Sequence, residues 1–393
     1  MLLFSIFKLH LFTLKDSVYM RFETKAIHSG LSIGNPSSAI IPPISPSTIF
    51  EIDAEGRKEN DLHYTRLANP NRLQFEHLIA TLEGGENAAA FSSGIAAATA
   101  ALQALEPGDH IIIPEDVYAG NRKMVQKIMM RWGLEADFIE MTDLSNIESH
   151  IRPNTKLIWV ETPSNPLMRI TDIAGVSELA KSQSHKIHVI VDNTWPTPVN
   201  QLPFEHGADL VLHSTSKYFG GHSDILGGAI VTKHEDDLFA QIRLTQQMGG
   251  AVPSPQDCWM LSRSTRTLAY RMKGHNEHAE KVARYLSGHR KVAEIYYPGL
   301  ESHPQHETAK KQMTGFGGMI SFMPDCSEKE CIEIVGRSKL IKRATSLGGV
   351  ESTWEHRFSS EGEGSITPKN LIRISIGLEH PDDLIDDLEL ALG

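Results

Sequence analysis

Lys217 lies in the run His213-Ser214-Thr215-Ser216-Lys217-Tyr218, one amine among small hydroxyl residues just after the apolar stretch Asp209-Leu210-Val211-Leu212. A lysine where a buried strand ends is poorly solvated. Burial lowers its pKa, and a neutral amine is what chemistry at a carbonyl carbon requires. Two acids occupy comparable positions: Glu161 ends Leu157-Ile158-Trp159-Val160, and Asp192 ends Ile187-His188-Val189-Ile190-Val191. Open parallel sheets bind ligands beyond the carboxyl ends of their strands. Three strands therefore bring Glu, Asp and Lys to one edge, although a single acid at a strand end is commonly a helix cap or turn former.

The elements that must hold these groups follow an α/β pattern from about residue 75. Apolar runs predict buried parallel strands over His110–Ile113, Leu157–Val160, Ile187–Val191, Asp209–Leu212 and Ala229–Val231, with helices over Ile95–Leu105 and Ile173–Ser182 between them. Phe91-Ser92-Ser93-Gly94-Ile95 opens the first of these helices, whose free N–H groups and dipole make a phosphate site. Ser-Ser-Gly is also simply a good N-cap. Paired with the downstream Ser-Thr-Ser-Lys, it points to a phosphorylated aldehyde, pyridoxal phosphate (PLP).

The chain divides into a proline- and serine-rich extended arm (1–60), a PLP-binding α/β domain (61–260) and a smaller α+β domain (261–393). The last carries a long helix from about Leu268 past Arg284, and strands near Met319–Phe322 and Leu371–Ile376. Met20-Arg21-Phe22 offers an alternative start, so residues 1–19 read either as a non-native leader or as an amphipathic arm. A net charge of −11 argues against nucleic-acid and anionic-membrane partners. Three cysteines imply no disulfide framework and fit a reducing cytoplasm. His275 and His278, or His213 and His222, lack the companions of a zinc site, so no metal is expected.

From about residue 22 to its C-terminus the chain resembles the PLP-dependent enzymes of cysteine and methionine metabolism, the cystathionine synthase and lyase group. The matching segments are Tyr64-Thr65-Arg66-Leu67-Ala68-Asn69-Pro70-Asn71-Arg72, Ser92-Ser93-Gly94, Asp116-Val117-Tyr118, Glu161-Thr162-Pro163-Ser164-Asn165-Pro166, Val191-Asp192-Asn193-Thr194, the Lys217 run, Ser346-Leu347-Gly348-Gly349 and Ile372-Arg373-Ile374-Ser375-Ile376-Gly377. The resemblance implies a fold-type-I PLP enzyme with a mainly parallel central sheet. It implies that Lys217 holds PLP covalently and shuttles protons, that Asp192 pairs with the ring nitrogen, and that Tyr118 stacks on the ring. The phosphate would meet Gly94, Ile95, Ser214, Ser216, Tyr64 and Arg66, the last two from a neighbouring subunit. That makes a homodimer the minimum assembly and a homotetramer the expected one. Arg373 would clamp the substrate carboxylate, with Ser346, Glu161 and Asn165 in support. On the residues alone, Arg373 reads equally as a strand residue in an ion pair, and Tyr64 and Tyr118 as ordinary aromatics.

The implied activity is cystathionine γ-synthesis from an O-acylhomoserine and cysteine, with cystathionine γ- or β-elimination as alternatives. A non-catalytic PLP-binding regulator would show a damaged Lys217, Asp192 or Arg373, and all three stand. Some positions depart from the family's form. Ile95 stands where methionine is usual, and Ser216 where threonine is more frequent. Thr345 stands where γ-synthases and γ-lyases place glutamate. Ala119-Gly120-Asn121-Arg122 is one residue short and lacks the cysteine of methionine γ-lyases. Trp354-Glu355-His356-Arg357 and Glu361-Gly362-Glu363 are unlike the common form, and read either as new distal contacts or as a loop.

Overall fold

A computed structural model of the chain describes residues 20–35, 37, 39–56, 62–362 and 365–393. The leader 1–19 and the acidic residue Glu363 lie outside the described residues.

Seven strands form the larger sheet: β1 (Asn87–Phe91), β2 (His110–Pro114), β3 (Glu135–Ile139), β4 (Thr155–Glu161), β5 (His188–Asp192), β6 (Leu210–His213) and β7 (Gly228–Thr232). Their spatial order is β1-β7-β6-β5-β4-β2-β3. The run β6-β5-β4-β2-β3 is parallel. Ala229–Val231, predicted to be parallel, instead belongs to a strand antiparallel to both neighbours, β6 and β1. The physical reason is the connection: residues 214–227 between β6 and β7 form turns and no helix, whereas a parallel return is usually made through a crossover helix.

The strands are apolar on both faces because both faces are covered. Val189, Val191 and Val211 join one core with Leu78 and Phe75 of the helix Pro70–Glu83. Ile190, Leu210 and Leu212 join another with Ala97, Ala98 and Ala101 of the helix Gly94–Gln103. Alanine on that helix lets its backbone lie close to the sheet.

The smaller sheet has the order β10-β11-β12-β9-β8, from β8 (Val292–Tyr296), β9 (Met319–Pro324), β10 (Lys342–Arg343), β11 (Thr353–His356) and β12 (Ile372–Ser375). One face packs Ile320, Phe322, Trp354, Ile372 and Ile374 into a third core. The helix Leu268–Ser287 serves both lobes, giving Leu268 and Met272 to the first core and Ala279, Val282 and Leu286 to the third. Where an extended arm was expected, Phe22–His28 is helical and buries Ala26. Among the described residues no helix is long and apolar enough to cross a membrane.

Candidate active site

Glu161 and Asp192 are the last residues of β4 and β5 and face each other in register. Burial raises the pKa of both; Glu161 is held well above the usual carboxylate range, with Asp192 adding to the effect. Glu161 accepts a bond from the Tyr118 backbone N–H at 3.0 Å. It thereby fixes the backbone at the start of the helix Ala119–Met124. Asp192 accepts from Thr194 N at 3.1 Å, and the Thr194 hydroxyl accepts from Ser214 N at 2.9 Å. Asp192 is thus tied through Thr194 to the segment that leads to Lys217.

The Lys217 amine donates to the Ser346 hydroxyl at 2.5 Å. Burial, with help from the charge of Arg373, depresses its pKa from 10.5 to about 8. Ser346 is held in the left-handed region, φ 85°, a conformation costly for a residue with a side chain. Behind Lys217, Arg271 of the long helix donates Nη1 to Tyr218 O at 2.5 Å and Nη2 to Ser264 O at 3.0 Å. Sequence reasoning missed this residue, because an arginine on an amphipathic helix carries no mark of what its tip will reach.

Gly94 opens its helix with Ser93 as N-cap, the Ser93 hydroxyl accepting from Ala96 N at 3.1 Å. A Cβ at Gly94 would lie 2.8 Å from Ser214 Cβ and 3.0 Å from its hydroxyl. Helix N-terminus and Ser214 therefore form one narrow cradle. The Ser216 hydroxyl is already engaged, donating to Gly227 O and accepting from Gly227 N. Ile95 and Tyr118 are exposed.

Arg373 is buried on β12, where Nη1 donates to Asn165 Oδ1 at 2.8 Å and Nη2 to Ser346 O at 3.3 Å and Glu355 Oε1 at 2.5 Å. Its guanidinium lies 6.0 Å from the Trp195 ring centroid. Burial, then the neighbouring Arg357, pushes its pKa down to about 10. Both sequence readings of Arg373, site residue and ion-pair member, meet here. Trp195 went unnoticed in the sequence.

Lys217, Ser346, Arg373 and Asn165 are thus linked by direct bonds, and Asp192 and Ser214 through Thr194. Tyr64 and Arg66 stand apart. Arg66 lies over the Tyr64 ring at 5.5 Å and donates to Gln247 O, and among the described residues neither bonds to the Lys217 group. Thr345 is exposed, and Arg122 is turned away, donating to Glu115 O and stacking 4.4 Å above the Phe138 ring.

The residues present fit PLP. A depressed amine, a paired set of buried acids facing the same edge, and a cradle at a helix N-terminus too tight for a Cβ supply what its aldehyde, ring nitrogen and phosphate require.

Comparison with known proteins agrees. The chain is 44% identical over 375 residues to cystathionine gamma-synthase of Mycobacterium leprae, covering 94% of this chain and 96% of that one. It is 40% identical to cystathionine beta-lyase of Lactococcus lactis, with 94% and 98% covered. The solved structure of metB from Corynebacterium glutamicum superposes with a TM-score of 0.93 at 40% identity, covering 96% of this chain and 99% of that one. Residues 23–393 match the model of the Cys/Met metabolism PLP-dependent enzymes, and the chain belongs to that family, an enzyme of fold type I whose cofactor is PLP.

Proposed function

We propose that this enzyme joins an O-acylhomoserine to cysteine, a γ-replacement that yields cystathionine. The observation that carries the choice is the 44% identity to a cystathionine gamma-synthase along nearly the whole of both chains. Elimination from cystathionine is the second reading, favoured by the beta-lyase relative at 40% identity.

PLP, when bound, supplies an electrophilic carbonyl and a ring that takes up electrons released at the substrate's carbons. Lys217 is the residue to hold it. Its amine would take the substrate's Cα proton and return protons at the later substrate carbons, and Ser346 holds that amine in line. Asp192 would keep a proton at the ring nitrogen, and a cation there would offset the burial that raises the pKa of this acid. Gly94 and Ile95 N–H groups and the Ser214 hydroxyl receive the phosphate. Ser216 joins them by exchanging its bond to Gly227 O. Tyr118, its backbone fixed by Glu161, would hold the ring face. Arg373 takes the substrate α-carboxylate beside Asn165, its planar fork matching two oxygens.

Tyr64 and Arg66 complete the site of a second copy, a reading supported by their separation from Lys217 within one chain. We extend this to a homotetramer built from such dimers, in the cytoplasm, where three unpaired cysteines belong. The division at 60 and 260 into arm, PLP domain and smaller domain is proposed on the same footing.

The test is a mass-spectrometric product assay on PLP-loaded enzyme. Cystathionine formed from O-succinyl- or O-acetylhomoserine plus cysteine, with little breakdown of cystathionine itself, supports the synthase. Breakdown to cysteine and 2-oxobutanoate marks γ-elimination instead, and homocysteine with pyruvate marks β-elimination.

A further inference from the structure

Four charged side chains, each less than a tenth exposed, form a ladder beside the Lys217 group: Arg373, Glu355, Arg357 and Glu361. Glu355 and Arg373 are directly opposed cross-strand partners on β11 and β12. A single carboxylate oxygen, Glu355 Oε1, accepts from Arg373 Nη2 at 2.5 Å and from Arg357 Nη1 at 2.8 Å. Its other oxygen accepts from the Ser360 hydroxyl at 2.6 Å. Arg357 Nε pairs with Glu361 Oε1 at 2.8 Å, and Glu361 Oε2 is held by the hydroxyls of Ser365 and Thr367. On the other side of Arg373, Ser321 of β9 lies opposite in register and donates to Pro166 O at 2.7 Å, anchoring the segment that carries Asn165.

This arrangement poses an electrostatic problem. A carboxylate bonded to Arg373 alone would cancel its charge, and a substrate carboxylate would then meet a neutral pair with an anionic oxygen beside it. Arg357 resolves it by sharing the same oxygen, so that two guanidinium groups face one carboxylate. Glu361 balances Arg357 from its far edge, one arginine further from Arg373.

We propose that Glu355 and Arg357 are positioning residues for carboxylate recognition: Glu355 fixes the Arg373 guanidinium, and Arg357 shares the charge of Glu355 so that Arg373 still attracts the substrate's α-carboxylate. The proposal rests on the reading of Arg373 as the carboxylate clamp. It gives a use to the Trp354–Arg357 segment and Glu361, which the catalytic scheme leaves idle.

The experiment compares PLP-loaded Arg357→Gln, Arg357→Lys, Glu355→Gln/Arg357→Gln and Arg373→Lys enzymes with the unaltered one. KM and kcat are measured, together with calorimetric binding of L-norleucine, which has the carboxylate and no leaving group. Arg357→Gln is expected to raise KM and weaken norleucine binding by about tenfold, the size of one charge-assisted contact, with a smaller change in kcat. Arg357→Lys should recover most of the loss. The double variant should return toward the unaltered enzyme, because acid and partner leave together. An unchanged KM in Arg357→Gln, or a double variant no better than the single one, overturns the proposal. If Arg357→Gln does not fold, the lysine and double variants carry the same comparison. Arg373→Lys separates the two readings: raised KM there without any effect at Arg357 defeats this inference alone, whereas unchanged KM at Arg373 defeats both.

Discussion

The Lys217 amine is caught between a buried setting that favours its neutral form and an unfolded chain that keeps it protonated to about pH 10.5. In the folded, cofactor-free enzyme the proton leaves near pH 8, so between those values the unfolded state binds more protons. Stability of the cofactor-free enzyme is therefore expected to rise as pH increases from 8 towards 10.5, relative to a Lys217→Met variant. Denaturant titrations of both at several pH values check this, and parallel curves would refute it. Lys217→Ala in the loaded enzyme should abolish turnover and the visible absorbance of the attached cofactor. Retention of both would remove Lys217 from the centre of the scheme.

Individual segments bear different loads. Gly94→Ala forces a methyl group to within 2.8 Å of Ser214 Cβ, a shift that costs about 1–3 kcal/mol. PLP affinity, followed by absorbance titration, should fall with it, whereas Ser93→Ala should cost about 1 kcal/mol through the lost cap alone. Arg271→Met should loosen the Lys217 loop by stranding Tyr218 O, at about 1–3 kcal/mol for that buried carbonyl left bare, whereas Ser264 O keeps its bonds from Thr267. Thermal unfolding measures that loss.

The strands ending in Glu161 and Asp192, and the one leading to Lys217, were legible because burial on both faces writes unbroken apolar runs, and a polar residue just past such a run stands out. β1 was not, since Asn87-Ala88-Ala89-Ala90-Phe91 has no β-branched residue and alanine favours helix. It becomes a strand by pairing with β7, where Gly228 admits the close approach of Ser93. β3 begins Glu135-Ala136-Asp137, the charged composition of an edge strand, and no apolar run marks it. Arg271 and Trp195 escaped notice for a different reason. Their partners lie on other elements, and one-dimensional spacing does not encode that reach.

At the scale of the assembly, the proposed sharing of Tyr64 and Arg66 predicts complementation. Lys217→Ala chains and Tyr64→Phe/Arg66→Ala chains should each be inactive alone. Unfolded together and refolded, they should regain activity, because mixed dimers contain one site with every residue intact. No recovery, with mixed dimers verified by mass spectrometry, would place Tyr64 and Arg66 outside the partner's site.

The helix Leu268–Ser287 runs from the first core into the third without a break. Neither lobe is therefore thermodynamically its own master: melting the small sheet bares one half of a helix whose other half is locked under the large one. Trp354 reports on the small core and Trp159 on the large. Their fluorescence should change at one temperature, and a cofactor gripped by the large lobe should delay the melting of a tryptophan it never touches.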